Sequence, residues 1–128
     1  MDKTAVRTEN APAPFQGAPY SQAIKAVGLV FVSGQLGLAP GHSEMVGATI
    51  EEQTRQVFDN LEAILTEAGS GLDRIVKTTV FLASLDDFQG MNSVYAERVG
   101  ETPPARSTVE VAALPSGALV EIEAIALT

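Results

Sequence analysis

The feature that most constrains this fold is a period-two alternation in two runs near the C-terminus. In the second run, 119–127, small and aliphatic residues take every other position, with Glu121 and Glu123 between them. In the first run, 106–114, Arg106 stands at the opening position. Successive side chains of a β-strand point to opposite faces of a sheet, so this period predicts two strands. One face of the first carries Arg106, Thr108, Glu110 and Ala112; the apolar face of the second carries Val120, Ile122, Ala124 and Ala126.

The two runs are joined by the short segment LPSG. A connection of this length predicts antiparallel strands, whether or not they are neighbours in the sheet. Arg106 then lies near the far end of the second strand, offset from Glu121 by on the order of 20 Å along the strands. We therefore expect that these two side chains cannot reach one small ligand within a single chain.

Two amphipathic helices are predicted earlier in the chain. Thr49 and Glu52 form a capping box before a helical apolar pattern over 55–68, and Ser84 and Asp87 suggest a second capping box. The apolar stripe of the second helix consists of Leu85, Phe88, Met91, Val94 and Tyr95.

Four further strands are predicted at 3–8, 23–27, 29–33 and 75–82. The order β, β, β, α, β, α, β, β indicates one α+β domain over residues 1–128, a six-stranded mixed sheet with both helices on one face. The other face would be bare, which predicts that it packs against further copies of the chain.

Glycines punctuate the region between the second and third strands. Gly28 predicts a tight hairpin, and Gly34 and Gly37 follow Ser33 in the sequence SGQLG. Two interpretations stay open here: bare amides beside Ser33 that bind a small anion, or a turn that needs positive φ.

Composition excludes several classes of function. The net charge of −8 opposes binding to phosphate backbones, so nucleic acid is not an expected partner. The absence of cysteine removes disulfides, thiolate nucleophiles and thiolate metal sites. Without a signal-like or membrane-spanning apolar segment, a cytoplasmic location is the expectation.

The usual parts of phosphoryl transfer, zinc hydrolysis and triad chemistry are missing from the sequence. What remains is an arginine, some carboxylates and backbone amides. The fork of a guanidinium matches a small carboxylate ligand, which makes Arg106 the candidate anchor. The alternative is that Arg106 only caps a sheet edge and that the glutamates only face water.

Four segments resemble the RidA (YjgF/YER057c/UK114) family of imine deaminases. They are PPARSTVEVAALPSGALVEIEAIA, beginning at Pro103, APYSQA at 18–23, VSGQLGL at 32–38 and IVKTTVFLASLDDF at 75–88. The resemblance implies a homotrimer of chorismate-mutase-like subunits, with ligand sites in the clefts between chains and no cofactor or metal.

The resemblance also implies roles for individual residues. Arg106 binds the substrate carboxylate and Glu121 orients or deprotonates the water. The cleft is lined by Tyr20, Ser33, Gly34, Asn92 and Thr108. Many members have cysteine where this chain has Thr108, so chemistry or regulation by that thiol cannot occur here.

The leading hypothesis is an enamine/imine deaminase that hydrolyses 2-iminopropanoate and 2-iminobutanoate to 2-oxo acids and ammonium. A protonated imine is already a strong electrophile, so positioning and one general base suffice. The second hypothesis is a non-catalytic carboxylate-binding or regulatory module that uses the same cleft. A third, RNA cleavage or translation inhibition, conflicts with the acidic charge.

Overall fold

The computed structural model describes residues 2–128 and contains six strands and two α-helices over that range. The predicted order of elements is confirmed. The strands are β1 (Thr4–Val6), β2 (Ala23–Ala26), β3 (Leu29–Gln35), β4 (Ile75–Leu82), β5 (Ala105–Glu110) and β6 (Val120–Leu127); the helices are α1 (Ile50–Glu67) and α2 (Phe88–Arg98).

The strands form one mixed sheet in the order β1-β2-β3-β6-β4-β5. Only the β4–β5 pair is parallel; every other neighbouring pair is antiparallel. The last strand in sequence thus lies inside the sheet, between β3 and β4. Since β5 is parallel to β4 and β4 is antiparallel to β6, the predicted antiparallel relation of β5 and β6 is confirmed, with β4 between them.

The core lies between the sheet and the two helices. The alternation along β6 buries Val120, Ile122, Ala124 and Ala126 on this side, as predicted. From α1, the fully buried side chains that meet them are Val57, Phe58, Leu61, Ile64 and Leu65. The helix face of the sheet is therefore a closed apolar layer, and a polar group on it must have a specific reason to be there.

The starts of the two helices differ. Thr49 caps α1: its Oγ1 accepts from the Glu52 amide at 3.1 Å, and the Glu52 carboxylate accepts from the Thr49 amide at 3.3 Å. The second capping box is wrong, because Ser84 accepts from the amide of Asp86 and caps a short 3₁₀ turn before α2. That turn leaves Leu85 exposed, whereas Met91, Val94 and Tyr95 are buried as predicted.

The opposite face of the sheet carries no helix within the part of the chain described. Its surface includes Phe31, Lys77, Thr79, Glu123 and Ile125, and Phe31 is 39% exposed. We refer to it as the open face. No helix in residues 2–128 is long and apolar enough to span a membrane.

Candidate functional site

The predicted site residues fall into two groups on opposite faces of the sheet. Tyr20, Ser33, Gly34 and Glu121 line a cleft of about 620 Å³ on the open face, which we call the acidic cleft. Arg106 and Thr108 lie on the helix face of β5, beside α2, and form with Asn92 the arginine cluster. The remaining lining residues of the acidic cleft are Phe15, Gln16, Ala18, Leu36, Pro115 and Glu123.

Glu121 is placed in the acidic cleft by an irregularity in β3. The β3–β6 register shifts between Val32 and Gln35, and Gly34 lies within this bulge. A Cβ added at Gly34 would overlap Oε2 of Glu121 and lie 2.8 Å from its Cδ. A side chain at position 34 would therefore have to displace the Glu121 carboxylate, because the carboxylate lies directly against the backbone.

This geometry corrects one of the two interpretations of the SGQLG segment. Neither Gly34 nor Gly37 has positive φ, so the turn interpretation is wrong. Gly37 instead makes room for the backbone of α1, because its Cβ would lie 2.9 Å from Cα of Gln53. The anion interpretation concerns the amides beside Ser33 and stays a prediction; the amide of Ser33 itself donates to the carbonyl of Gln22 at 2.9 Å.

The hydroxyl groups of the cleft have defined hydrogen bonds. Ser33 Oγ donates to the carbonyl of Ser21 at 2.6 Å, which leaves its oxygen lone pairs for an incoming donor. The Tyr20 hydroxyl oxygen accepts from the Phe15 amide at 2.6 Å, which leaves its O–H available to donate. The cleft thus offers a donor from Tyr20, an acceptor from Ser33 and the carboxylate of Glu121.

The electrostatics of the cleft favour proton transfer at Glu121. Partial burial raises the pKa of this carboxyl group, and the negative charge of Glu123 raises it further. A carboxylate with a raised pKa is a stronger base than an ordinary surface glutamate, which favours a role in general base catalysis. No cluster of three or more metal-ligating side chains occurs in residues 2–128.

The arginine cluster is organised around aromatic rings. The guanidinium carbon of Arg106 lies 4.7 Å from the ring centre of Tyr95 and 5.6 Å from that of Phe88. Both distances are within the range of cation–π attraction. Arg106 is only partly exposed, and among residues 2–128 its guanidinium group has no carboxylate or hydrogen-bond partner. A half-buried guanidinium with all its donors unused is prepared for an anion that comes from outside the chain.

Two further polar atoms near Arg106 lack partners. Thr108 follows Arg106 on the same face of β5, and Asn92 lies on α2 between the turns that carry Phe88 and Tyr95. Thr108 Oγ1 and Asn92 Oδ1 are buried, and neither has a hydrogen-bond partner in the described chain. Buried polar atoms of this kind are normally satisfied by a ligand, by water or by a neighbouring chain.

The two groups cannot form one site within a subunit. Arg106 pairs with Thr78 of β4, and Thr78 in turn pairs with Ala124 of β6. Along the strand direction, Arg106 is therefore three residues away from Glu121. The offset is about 10 Å along the strands and about 10 Å across them, and the side chains leave opposite faces. The predicted 20 Å along the strands is too long, because residues 111–119 cross over β4 before β6 begins. The conclusion that the two residues do not meet within one chain stands.

Three residues contribute to these groups in ways that the sequence pattern does not predict. The helical pattern predicts Tyr95 and Phe88 only as members of an apolar stripe, yet their rings contact Arg106. Glu123, noted only as a second carboxylate, lines the acidic cleft with Glu121. The available signal was the shared strand face of Glu121 and Glu123; nothing local links Tyr95 to Arg106.

Comparison with known proteins gives matches over nearly the whole chain. The family model described as endoribonuclease L-PSP matches residues 8–128. The RutC family protein PH0854 of Pyrococcus horikoshii is 51% identical, over 97% of this chain and 97% of its own. The Arabidopsis thaliana protein named Reactive Intermediate Deaminase A, chloroplastic, is 50% identical over 98% of this chain and 66% of its own.

A solved structure matches as well. Escherichia coli TdcF with bound serine is 37% identical and superposes with a TM-score of 0.89, covering 98% of each chain. The range that the family model matches includes the positions of all the predicted site residues. The chain belongs to the RidA (YjgF/YER057c/UK114) family.

Proposed function

We propose that this protein is an enamine/imine deaminase that hydrolyses small 2-imino acids, such as 2-iminopropanoate and 2-iminobutanoate, to 2-oxo acids and ammonium. The observation that carries the proposal is Arg106, a half-buried guanidinium held over two aromatic rings with no acid partner in the described chain. An unpaired guanidinium in that setting favours a ligand with a carboxylate.

The proposal requires assembly of the chain into a homotrimer. Arg106 and Glu121 serve one substrate only if Arg106 of one subunit faces the acidic cleft of the next. The open face, with Phe31 39% exposed, offers the apolar surface for that contact. A closed ring of three subunits then contains three equivalent sites. Each site has the arginine cluster of one subunit and the acidic cleft of its neighbour.

The reaction needs few groups. Arg106 holds the substrate carboxylate and so fixes the adjacent C=N carbon over the cleft. Water attacks that carbon while Glu121 takes one of its protons, and the π electrons of the C=N bond become a lone pair on nitrogen. Glu121 then returns the proton to nitrogen, and the C–N bond breaks with its electron pair on the leaving ammonia while the hydroxyl oxygen forms the C=O bond. The hydroxyl proton passes through Glu121 to ammonia, which leaves as ammonium. No oxidant, reductant or cofactor enters this balance.

Thr108 is compatible with this chemistry although many relatives have cysteine there. Its hydroxyl, buried and without a partner in residues 2–128, is beside the proposed anchor and can donate to or accept from the bound substrate. The thiol is therefore not required for the hydrolysis proposed here.

Names of relatives support the proposal to different degrees. A protein 50% identical to this chain is named a reactive intermediate deaminase, and a solved relative contains serine, a small amino acid with a carboxylate. The family model carries the description of an endoribonuclease. RNA cleavage is disfavoured for this chain, because it has a net charge of −8 and a cleft lined by two carboxylates.

The deciding experiment is an assay of the purified protein with 2-iminopropanoate and 2-iminobutanoate generated in situ. The rate of 2-oxo acid formation should exceed the spontaneous rate and should be unaffected by chelators. If the protein binds 2-oxobutanoate but does not accelerate hydrolysis, it is a non-catalytic carboxylate-binding module. Cleavage of RNA without imine hydrolysis would overturn both.

A further inference from the structure

We propose that Tyr95, held by Thr78, is a positioning residue that sets the direction of the Arg106 guanidinium. This inference rests on the proposed function in one respect, namely that Arg106 binds the carboxylate of the substrate. It adds a layer of residues behind Arg106 that contact neither the substrate nor the reacting atoms.

The ring of Tyr95 is fixed by contacts on several sides. Its hydroxyl shares a hydrogen bond of 2.6 Å with Thr78 Oγ1, and its ring packs edge-on against Phe58 with centroids 5.4 Å apart. Tyr95 is 5% exposed, and Thr78 and Phe58 are fully buried. A side chain held in this way has one available rotamer.

Thr78 connects this ring to the strand that carries the arginine. It lies on β4 directly beside Arg106 of β5, and both side chains are on the helix face. The ring of Tyr95 therefore spans from α2 to β4 at the place where the guanidinium leaves the sheet. Its hydroxyl bonds to the sheet through Thr78, whereas its edge-on contact with Phe58 is to helix α1.

An aromatic ring can orient the Arg106 guanidinium without occupying its hydrogen-bond donors. A salt bridge to a protein carboxylate would also hold Arg106, but it would occupy the donors needed by the substrate. A cation over an aromatic ring is attracted by the ring quadrupole and needs no acceptor oxygen from the protein. Tyr95, with Phe88 at 5.6 Å, thus orients Arg106 while leaving its N–H groups to the ligand.

The test uses three variants and a matched control. Tyr95→Leu removes the ring, whereas Tyr95→Phe and Thr78→Val remove only the hydrogen bond that fixes it. Thr54→Val is the control, because Thr54 is also fully buried and donates at 2.7 Å to Ile50 within α1, away from Arg106. Size-exclusion chromatography and thermal denaturation establish that each variant is folded.

The first readout is the side-chain Nε–Hε resonance of Arg106 in ¹⁵N NMR, which ring currents of Tyr95 shift. It should move to the position of an exposed arginine in Tyr95→Leu, move part of the way in Thr78→Val and Tyr95→Phe, and stay in Thr54→Val. This readout does not depend on any activity. A resonance that is unchanged in folded Tyr95→Leu would overturn the inference; if that variant does not fold, the other two decide in the same way.

The second readout is affinity for 2-oxobutanoate, with the kinetics of imine hydrolysis. Loss of one orienting hydrogen bond should weaken binding and raise KM about threefold to fivefold, with kcat nearly unchanged. Loss of the ring should weaken binding and raise KM about tenfold. Equal losses in Thr54→Val would mean general destabilisation and would overturn the inference. A wild-type protein without hydrolysis, whose Arg106 resonance and 2-oxobutanoate affinity still respond as stated, would refute the proposed deaminase activity and leave the inference standing.

Discussion

The arginine cluster and the acidic cleft are built in different ways. Arg106 rises from a regular strand and lies over rings of a regular helix, with the fully buried Thr78 behind them. Glu121 also stands on a regular strand, but its surroundings are a β-bulge and two short turns, Phe15–Gly17 and Pro115–Gly117. In each turn a residue other than glycine has positive φ: Gln16 at 53° and Ser116 at 54°.

This difference separates two ways of holding a functional group. The direction of Arg106 depends on side-chain packing in the core, which is dense and resists displacement. The position of Glu121 depends on a close approach to bare backbone at Gly34, within a rim of strained turns. A change in the core should therefore affect Arg106, the proposed carboxylate anchor, and a change in the bulge should affect Glu121, the proposed base.

The largest effect is expected from Arg106→Ala. Loss of the charge and its donors should lower kcat/KM by roughly 10³-fold, and Arg106→Lys should recover little because a lysine lacks the bidentate fork. The matched control is Arg98→Ala, since Arg98 also lies over an aromatic ring, 5.8 Å from the centre of Phe58, outside both groups. Wild-type turnover in Arg106→Ala would show that this arginine has only a structural role.

Mixing two inactive variants tests whether the two regions meet across subunits. Arg106→Ala and Glu121→Ala chains, unfolded together and refolded as an equal mixture, should form about three quarters mixed trimers by random filling. Each mixed ring has one interface with both native residues, so about a quarter of wild-type activity should return. The control is each variant refolded alone, and native mass spectrometry verifies the mixed rings.

Two outcomes would contradict the shared site. A monodisperse monomer at micromolar concentration in light scattering removes the inter-subunit cleft altogether. Mixed trimers that recover no activity would mean that Glu121 is not the base or that the site lies within one subunit.

A smaller effect is expected from Gly34→Ala. The new Cβ must displace the Glu121 carboxylate, so kcat should fall about tenfold to a hundredfold while affinity for 2-oxobutanoate is largely kept. The control is the double variant with Glu121→Ala. Because the overlapping atoms are then gone, Gly34→Ala should cost less unfolding free energy in that background than alone. Equal costs in both backgrounds would argue against the close approach.

The smallest effect concerns pH. Glu121 must be deprotonated to act as a base, so kcat/KM should fall as the pH drops through its raised pKa. Glu123→Gln removes the charge that contributes to this shift, so the acid limb should move to lower pH. The control is Glu67→Gln, an exposed carboxylate near the end of α1. An acid limb that does not move would mean that Glu123 does not influence the base.

The same raised pKa has a consequence for stability. A carboxyl group that binds its proton more tightly when folded stabilises the fold below its unfolded pKa, and this contribution is lost as the pH rises through the folded pKa. Glu121→Gln should therefore increase the free energy of unfolding at neutral pH and lose this advantage under acidic conditions. Urea denaturation at both pH values measures the difference, and a destabilised Glu121→Gln at neutral pH would contradict the direction of the shift.

Much of the fold was readable from periodicity. The alternation over 119–127 predicted strand β6 and its buried face, and the Thr49–Glu52 pair predicted the start of α1. The second capping box failed because Ser84 and Asp87 have the right spacing, but the chain forms a 3₁₀ turn there before α2. Spacing alone does not distinguish the two kinds of turn, since both begin with a similar side-chain cap.

The sequence by itself determined which residues share a strand face, and so it placed Arg106 with Thr108 on one face of β5 and separated Glu121 and Glu123 from the apolar residues of β6. It could do so because a period of two depends only on neighbouring residues. Only the tertiary structure decided that β4 lies between β5 and β6, that Gly34 accommodates Glu121, and that Tyr95 lies beneath Arg106. Those outcomes depend on contacts between residues far apart in the chain, where strand order and core packing select among many arrangements that local patterns allow equally.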